Sequence, residues 1–406
     1  MKFYQLTAEQ RRAKLTADGV QLLPVDPKTL AGLEQLSENV IGSLTLPLGL
    51  IPRLIIQGRP YRVPLATEEA SVIAAANHGA SCFNQAGGVQ TSSLRRGLIG
   101  QLILAVTPAF KLADLRTQLP RLKLATNQSF LRLIAHGGGI KRLSARQVER
   151  VAYVEVLVDP AEAMGANKVN SILEFLGKQL QSFPGVSERL AAILSNAPSQ
   201  FASAKVILPL ALVGGGETAN RLAQLSQVGQ QDARRGVTNN KGIMNGVDAA
   251  LLAFGQDFRA VEAACGMQAS RTGVYRSLSR WQVIDDQLVG ELTLPLATGV
   301  VGGSLASRPE VRQNIAMAGI KTAQELAEVI VSVGLASNFA ALLALSTDGI
   351  QHGHMKLQTR QLVAGLAASP SEQQAVLQVL LARQSYGLAE AEAILTELRE
   401  KNEYRN

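Results

Sequence analysis

VAYVEVLVDPAEAMGANKVNSILEFLGKQL, residues 151 to 180, is the stretch on which the fold turns. Val151 to Val158 is the most strand-like run in the chain, apolar and rich in β-branched residues, and Asp159-Pro160 ends it. Beyond the turn, Val169, Ile172, Leu173, Leu176 and Leu180 recur at helical spacing, so the next element is a helix with one apolar face. Between the two stands Met164-Gly165-Ala166-Asn167. The unpaired amides that open a helix attract anions, which makes this joint the place for a cofactor phosphate. The GxGxxG fingerprint is missing, so a dinucleotide held here belongs to an architecture other than the Rossmann fold.

Toward the C-terminus, Val206 to Val213 reads as a strand whose Pro209 asks for an edge position, and Gly214-Gly215-Gly216 as the turn before a helix near Thr218. A small-residue helical region from Asn245 to Ala264, a strand near Gln287 to Leu294, a glycine turn at Gly299 to Gly303 and a long apolar helix over Ala323 to Leu345 follow. Ser369-Pro370-Ser371-Glu372 starts a further helix, and Gly387 separates it from a last charged one. Toward the N-terminus, Thr7 to Gln10 has capping-box spacing, a strand is expected around Tyr61 to Leu65, and Thr67-Glu68-Glu69 opens an Ala-rich helix over Ala70 to Ala80. With 406 residues, 47% of them hydrophobic and 4% aromatic, the chain has material for two domains with helix-rich interiors.

Val329 to Thr347 carries no charge and nearly has the length of a bilayer span. Ser332, Gly334, Ser337, Asn338 and Ser346 interrupt it, so a buried helix is the reading and no membrane association is expected. The first nineteen residues lack an apolar run followed by a cleavage site, which predicts a cytoplasmic protein. Cys82 and Cys265 have no zinc-site spacing and read as buried free thiols; no metal is expected. Of the net charge of +8, most sits in residues 101–150, where nine basic residues face only Asp114 and Glu149. Such a block suits a polyanion, whether nucleic acid, membrane phosphate or a phosphorylated cofactor, or is a solvated face without a partner. Its only aromatics are Phe110 and Phe130, too few stacking platforms for nucleic acid to be the expected partner.

Four places offer chemistry. Glu68-Glu69 supplies adjacent carboxylates at an apolar helix, where one is disfavoured from ionising, or simply caps that helix. Lys241, in Asn239-Asn240-Lys241-Gly242, could polarise a carbonyl oxygen or be solvated. Asp257, in Phe254-Gly255-Gln256-Asp257-Phe258-Arg259, is a charged residue between two aromatics, or simply a local partner of Arg259. His352-Gly353-His354 would project two rings to one side of an extended segment, but no acidic or cysteine cluster completes a metal set.

The strings Glu38-Asn39-Val40-Ile41-Gly42 with Pro47-Leu48-Gly49, Glu68-Glu69-Ala70-Ser71-Val72, Ala163-Met164-Gly165-Ala166-Asn167, Asn240-Lys241-Gly242-Ile243-Met244-Asn245-Gly246, Asp257-Phe258-Arg259-Ala260-Val261-Glu262-Ala263 and Gly349-Ile350-Gln351 to Gly353-His354-Met355 stand in this order. Over nearly the whole chain they resemble the bacterial (class II) hydroxymethylglutaryl-CoA reductases. The resemblance implies an α+β fold. A large helix-rich substrate domain (1–102 and 196–354) is interrupted by a small ferredoxin-like, non-Rossmann cofactor domain (103–195) and followed by a C-terminal helical flap (355–406). It implies an obligate homodimer with active sites at the subunit interface. The implied activity is reduction of 3-hydroxy-3-methylglutaryl-CoA to mevalonate and CoA with two NAD(P)H, in isoprenoid synthesis.

By the same resemblance, Glu69 is the acid that protonates the carbonyl oxygen, Lys241 the cation on the developing oxyanion, Asp257 the group that holds Lys241 and links it to Glu69, and His354 the acid for the departing thiolate. Arg235 and Ser71 match positions that hold the substrate carboxylate; Asn245 and Asn338 match polar positions of the same pocket. Glu162, Met164, Gly165 and Asn167 match the cofactor loop, with Glu162 where the family has Asp. Relatives that use NAD place an Asp before the glycine run to accept a ribose hydroxyl, but Arg121 to Arg142 holds no acid, which predicts NADPH over NADH. Mevalonate oxidation with NAD is the rival direction.

Overall fold

The computed structural model describes residues 2–303, 305–347, 359–360, 362–383 and 387–403. The chain divides into two compact units, Met1–Leu48 and Gly49–Asn406. In the first, α1 (Ala8–Ala17) begins in the expected capping box: Thr7 Oγ1 accepts from the Gln10 amide at 3.2 Å while the Gln10 side chain accepts from the Thr7 amide at 3.0 Å. Pro27 opens α2 (Pro27–Glu34), and buried Arg11 holds α2 to α1 through Glu34 at 3.2 Å.

From Leu48, the last residue of the first unit, the chain enters β1 (Leu48–Ile56) and then β2 (Arg59–Ala66), paired across Gln57-Gly58, both at positive φ as a two-residue hairpin demands. The Ala-rich helix α3 (Ala70–Gln85) runs five residues past its expected end and leads into β3 (Gln90–Arg95).

Next come β4 (Leu98–Val106), α4 (Leu112–Ser129), the short α5 (Leu131–Ala135), β5 (Gly139–Val148), β6 (Val151–Asp159), α6 (Ala166–Leu180) and β7 (Val186–Ser195). These strands make one antiparallel sheet in the order β5-β6-β4-β7, the split βαβ arrangement of a ferredoxin-like unit. Its core is its own: Leu102, Leu104, Val154 and Val156 of the sheet meet Ile172, Leu173 and Leu176 of α6, all essentially inaccessible. Gly100 lets α6 settle, since a Cβ there would lie 2.7 Å from Val169 and Leu173 side chains.

After β8 (Gln200–Pro209), α7 (Gly216–Gln231) and α8 (Ala233–Ala253), the chain forms α9 (Phe258–Ala269), β9 (Ser279–Ile284), β10 (Gln287–Pro295), α10 (Pro309–Ala318) and α11 (Ala323–Ser346). The small-residue region expected as one helix is two. Gly255 at φ +64° stops α8, and Asp257 caps α9 by accepting from the Ala260 amide at 3.1 Å. Likewise α8 begins at Ala233, earlier than expected, because the Asp232 carboxylate accepts from the Arg235 amide at 3.0 Å.

A second antiparallel sheet has the order β3-β8-β10-β9. There β8 is interior where β3 flanks it, but β3 pairing ends at Lys205. Pro209 thus lies where β10 is the only neighbouring strand, which reconciles its missing N–H with its place in the sheet.

Helices α3, α8 and α11 pack into the larger core beside Phe83, Trp281 and Phe339, whose ring centroids are 5.3 to 6.4 Å apart. Helix α11 is long and apolar enough for a bilayer, but most of it is buried in this core. Its approach depends on small residues: a Cβ at Gly79 of α3 would lie 2.2 Å from the Ala336 carbonyl oxygen. Gly79→Ala is therefore expected to destabilise the fold by about 2 kcal/mol, since the obstacle is backbone that cannot rotate away. A urea midpoint equal to the parent's would refute this. Cys82 and Cys265 are buried free thiols, and burial raises the pKa of each, which suppresses thiolate reactivity. The last helices, α12 (Pro370–Arg383) and α13 (Leu388–Glu403), share a small core of Val376, Leu380, Ala391 and Ile394.

Candidate active site

Residues far apart in sequence meet where α3 and α8 lie against α11. Glu69 holds the cap position of α3 in extended conformation, φ −98° and ψ 109°, so its side chain is presented beside the helix start without capping it. Its Oε1 accepts from the Ser71 hydroxyl, and its Oε2 lies 3.6 Å from Lys241 Nζ of α8. Arg235, six residues before Lys241, lines the same cavity, as do Ser71, Asn245 and Asn338. The cavity measures about 440 Å³, and its remaining wall is largely aliphatic, from Val72 and Ala75 to Ala340 and Leu345. A cation paired to a carboxylate at the edge of an apolar hollow, with a guanidinium nearby, suits a small substrate with a carboxylate and a polarised carbonyl.

Asn338 does more than line this wall. It is 1% exposed, and both ends of its amide are engaged: Oδ1 accepts from Trp281 Nε1 at 2.8 Å, and Nδ2 donates to Asn239 Oδ1 at 2.9 Å. Asn239 in turn donates to the hydroxyls of Ser277 and Ser279 at 2.5 and 3.1 Å. This network holds α8, α11 and β9 in register behind Lys241. The structure also adds His78 and Thr238 to the cavity. His78 follows Ser71 by seven residues, two helical turns, so the helical period of α3 was the available signal for it.

Asp257 lines a different cavity, of about 310 Å³, together with Met164, Gly165, Asn167 and Lys168 on one side and Gly302 and Gly303 on the other. Gly165 is the cap of α6 at φ +102°, so the chain turns left-handed there, and a Cβ at this position would lie 2.4 Å from the Pro160 ring. With the Lys168 ammonium at the same helix start, these residues fit the pyrophosphate of a dinucleotide. Glu162 is not in this lining; its Oε2 accepts from the Ala323 amide at 2.6 Å. One chain thus brings together Glu69, Lys241, Ser71, Arg235, Asn245 and Asn338, and separately Asp257 with Met164, Gly165 and Asn167. His352 and His354 lie outside the described residues. Among the described residues no cluster of three metal-ligating side chains occurs.

Residues 7–359 match the family model of hydroxymethylglutaryl-coenzyme A reductase. The 3-hydroxy-3-methylglutaryl-coenzyme A reductase of Archaeoglobus fulgidus is 33% identical over 410 residues, covering 98% of this chain and 94% of that protein. A solved reductase from Streptococcus pneumoniae superposes with a TM-score of 0.73 at 36% identity, covering 98% of this chain and 99% of that one. A second Streptococcus pneumoniae structure, of the class II enzyme bound to NADPH in open conformations, gives 0.73 and 36% over 96% and 99% of the two chains. Matched by these proteins in sequence and fold along nearly its whole length, this chain belongs to the hydroxymethylglutaryl-coenzyme A reductase family, as a bacterial class II member.

Proposed function

We propose that the chain reduces 3-hydroxy-3-methylglutaryl-CoA to mevalonate and CoA with NADPH as the preferred donor, and that its sites are completed in a homodimer. The observation that carries this reading is the Glu69–Lys241 pair on the cavity that Arg235 also lines. The substrate carboxylate pairs with the planar fork of Arg235, which leaves the thioester carbonyl toward Lys241. Lys241 stabilises the oxyanion that each reduction creates, and Glu69, hydrogen-bonded to Ser71 and beside that ammonium, supplies a proton to it. The nicotinamide, when bound, supplies the hydride for each of the two reductions. We assign protonation of the leaving thiolate to His354.

Met164, Gly165 and Asn167 would hold the cofactor at the start of α6, within a cofactor domain read as residues 103–195. The substrate domain is then 1–102 with 196–354, and 355–406 forms a closing flap. In one chain Asp257 shares the cofactor cavity and not the Lys241 cavity, an arrangement that a second copy remedies by joining one cavity to the other. A dimer mass in solution checks this; a monomer active at all concentrations refutes it.

The donor preference rests on charge. Arg121, Arg132 and Arg142 are exposed and have no carboxylate partner among the described residues, whereas Lys141 is paired with Asp159 at 3.2 Å and Arg146 with Glu155 at 3.6 Å. Free guanidiniums in this unit attract the additional phosphate of NADPH. We expect kcat/KM to be at least about tenfold higher with NADPH than with NADH, one well-made charged contact. The deciding assay mixes purified protein with 3-hydroxy-3-methylglutaryl-CoA and each donor and follows nicotinamide absorbance. Absence of turnover with both sinks the reading, and a preference for NADH sinks the donor assignment alone.

A further inference from the structure

The loop that joins β6 to α6 is bound to the larger core by a chain of backbone contacts and one carboxylate. The Val300 amide donates to the Glu162 carbonyl at 2.9 Å, and Ala163 bridges Val301. A Cβ at Gly299 would lie 2.1 Å from the Met164 nitrogen, so the two strands of backbone are in direct apposition. Gln256, the residue before Asp257, grips Gly299 from both sides, accepting from its N–H at 2.9 Å and donating to its carbonyl at 3.0 Å. Arg95 spans the seam, donating to Thr298 O at 3.3 Å and Ala161 O at 3.1 Å. Against this background the Glu162 carboxylate ties the loop directly to α11, accepting from the first amide of that helix at 2.6 Å. The same helix ends at the substrate cavity, to which it contributes Ser337, Asn338 and Ala340.

We propose that Glu162 is a positioning residue for the cofactor: its carboxylate, on the positive end of α11, locks the loop 162–167 to the helix that walls the substrate cavity. This rests on the reading of that loop as the cofactor site. A carboxylate on a helix N-terminal amide gains both a charge-assisted hydrogen bond and the field of the helix. Without it the loop keeps its main-chain contacts but loses the tie that fixes it relative to α11. The cofactor then binds to a loop that must first be ordered, and affinity falls by the fraction of chains with the loop in place. Substrate binding to Arg235 and proton transfer from Glu69 do not involve the tie and are left as they are.

The bond can be cut from either end. Glu162→Ala removes the acceptor. Ala323→Pro removes the donor, because Ala323 is the first helical residue, where proline is tolerated, and Thr322 before it is already extended at φ −127° and ψ 154°. As Ala323 is 0% exposed, the urea midpoint of this variant is measured beside the titration to separate the added ring from the lost bond. Both variants should weaken NADPH about five- to tenfold, the size of a lost cap, in KM and in direct fluorescence titration without substrate. The double variant should be no worse than either single one, since both remove the same bond. Glu162→Gln, with an acceptor oxygen at the same reach but no charge, should recover part of the affinity. In all of them kcat and the KM for 3-hydroxy-3-methylglutaryl-CoA stay within about twofold of the parent, a split that general loosening of the fold would not produce. Additive effects of the two single variants, or equal losses in every parameter, would overturn the role. A parent that fails to bind NADPH overturns the site reading and this role with it. A parent that binds NADPH, alongside variants that bind it as tightly, overturns this role alone.

Discussion

Lys241→Ala is expected to lower kcat by about a thousandfold, the loss seen when a preorganised oxyanion donor is removed. The size follows from its placement. Lys241 sits mid-way along α8, a rigid helix, so its ammonium is delivered to the cavity without reorganisation during the reaction. Stability should hardly change, because the Lys241 side chain is 63% exposed and its 3.6 Å pair with Glu69 is solvent-screened. The parent and variant should therefore melt together while differing in turnover. Initial rates with saturating 3-hydroxy-3-methylglutaryl-CoA and NADPH, beside a calorimetric scan, separate the two effects. A variant that keeps a tenth of the parent's activity would remove Lys241 from the mechanism.

Asn338→Leu should act on stability, by about 3 kcal/mol. Leucine nearly conserves volume, so no large cavity is left, but the Trp281 indole N–H and the Asn239 carbonyl both lose their partner inside a core from which water is excluded. Each stranded group costs about 1 to 3 kcal/mol. Urea unfolding measures the loss, and the double variant Asn338→Leu with Trp281→Phe tests its cause. Removing the indole N–H also removes one stranded group, so the pair should be less destabilised than the two single losses combined. Strict additivity would mean that the network carries no coupling.

Much of the local structure was legible in the chain. Residues 151–180 form the strand, joint and amphipathic helix that their pattern specifies, with Val169, Ile172, Leu173, Leu176 and Leu180 all buried. The serine and asparagine interruptions of the apolar run near Val329 correctly marked a core helix, because Ser332, Ser337 and Asn338 each lie buried in it. Helix limits were less legible where a side chain decided them. Asp232 and Asp257 start α8 and α9 through cap bonds, and the break at Gly255 depends on a left-handed residue that composition alone did not separate from its small-residue surroundings.

The site divides in the same way. By itself the sequence determined which residue types stand in which order, and from that order the family: periodicity and cap spacing involve residues a few positions apart, so their physics is complete within a short window. What stands together in space was decided only by the tertiary structure. Glu69 and Lys241 meet because glycines at 79 and 246 let α3 and α8 close onto α11. Asn338, named for the pocket, proved to hold the core behind it through Trp281 and Asn239. Glu162, named for the cofactor, reaches to the first amide of α11. Each of these outcomes depends on backbone approaches of a few ångströms between distant segments, and such distances are set by packing of the whole core, which no local pattern encodes.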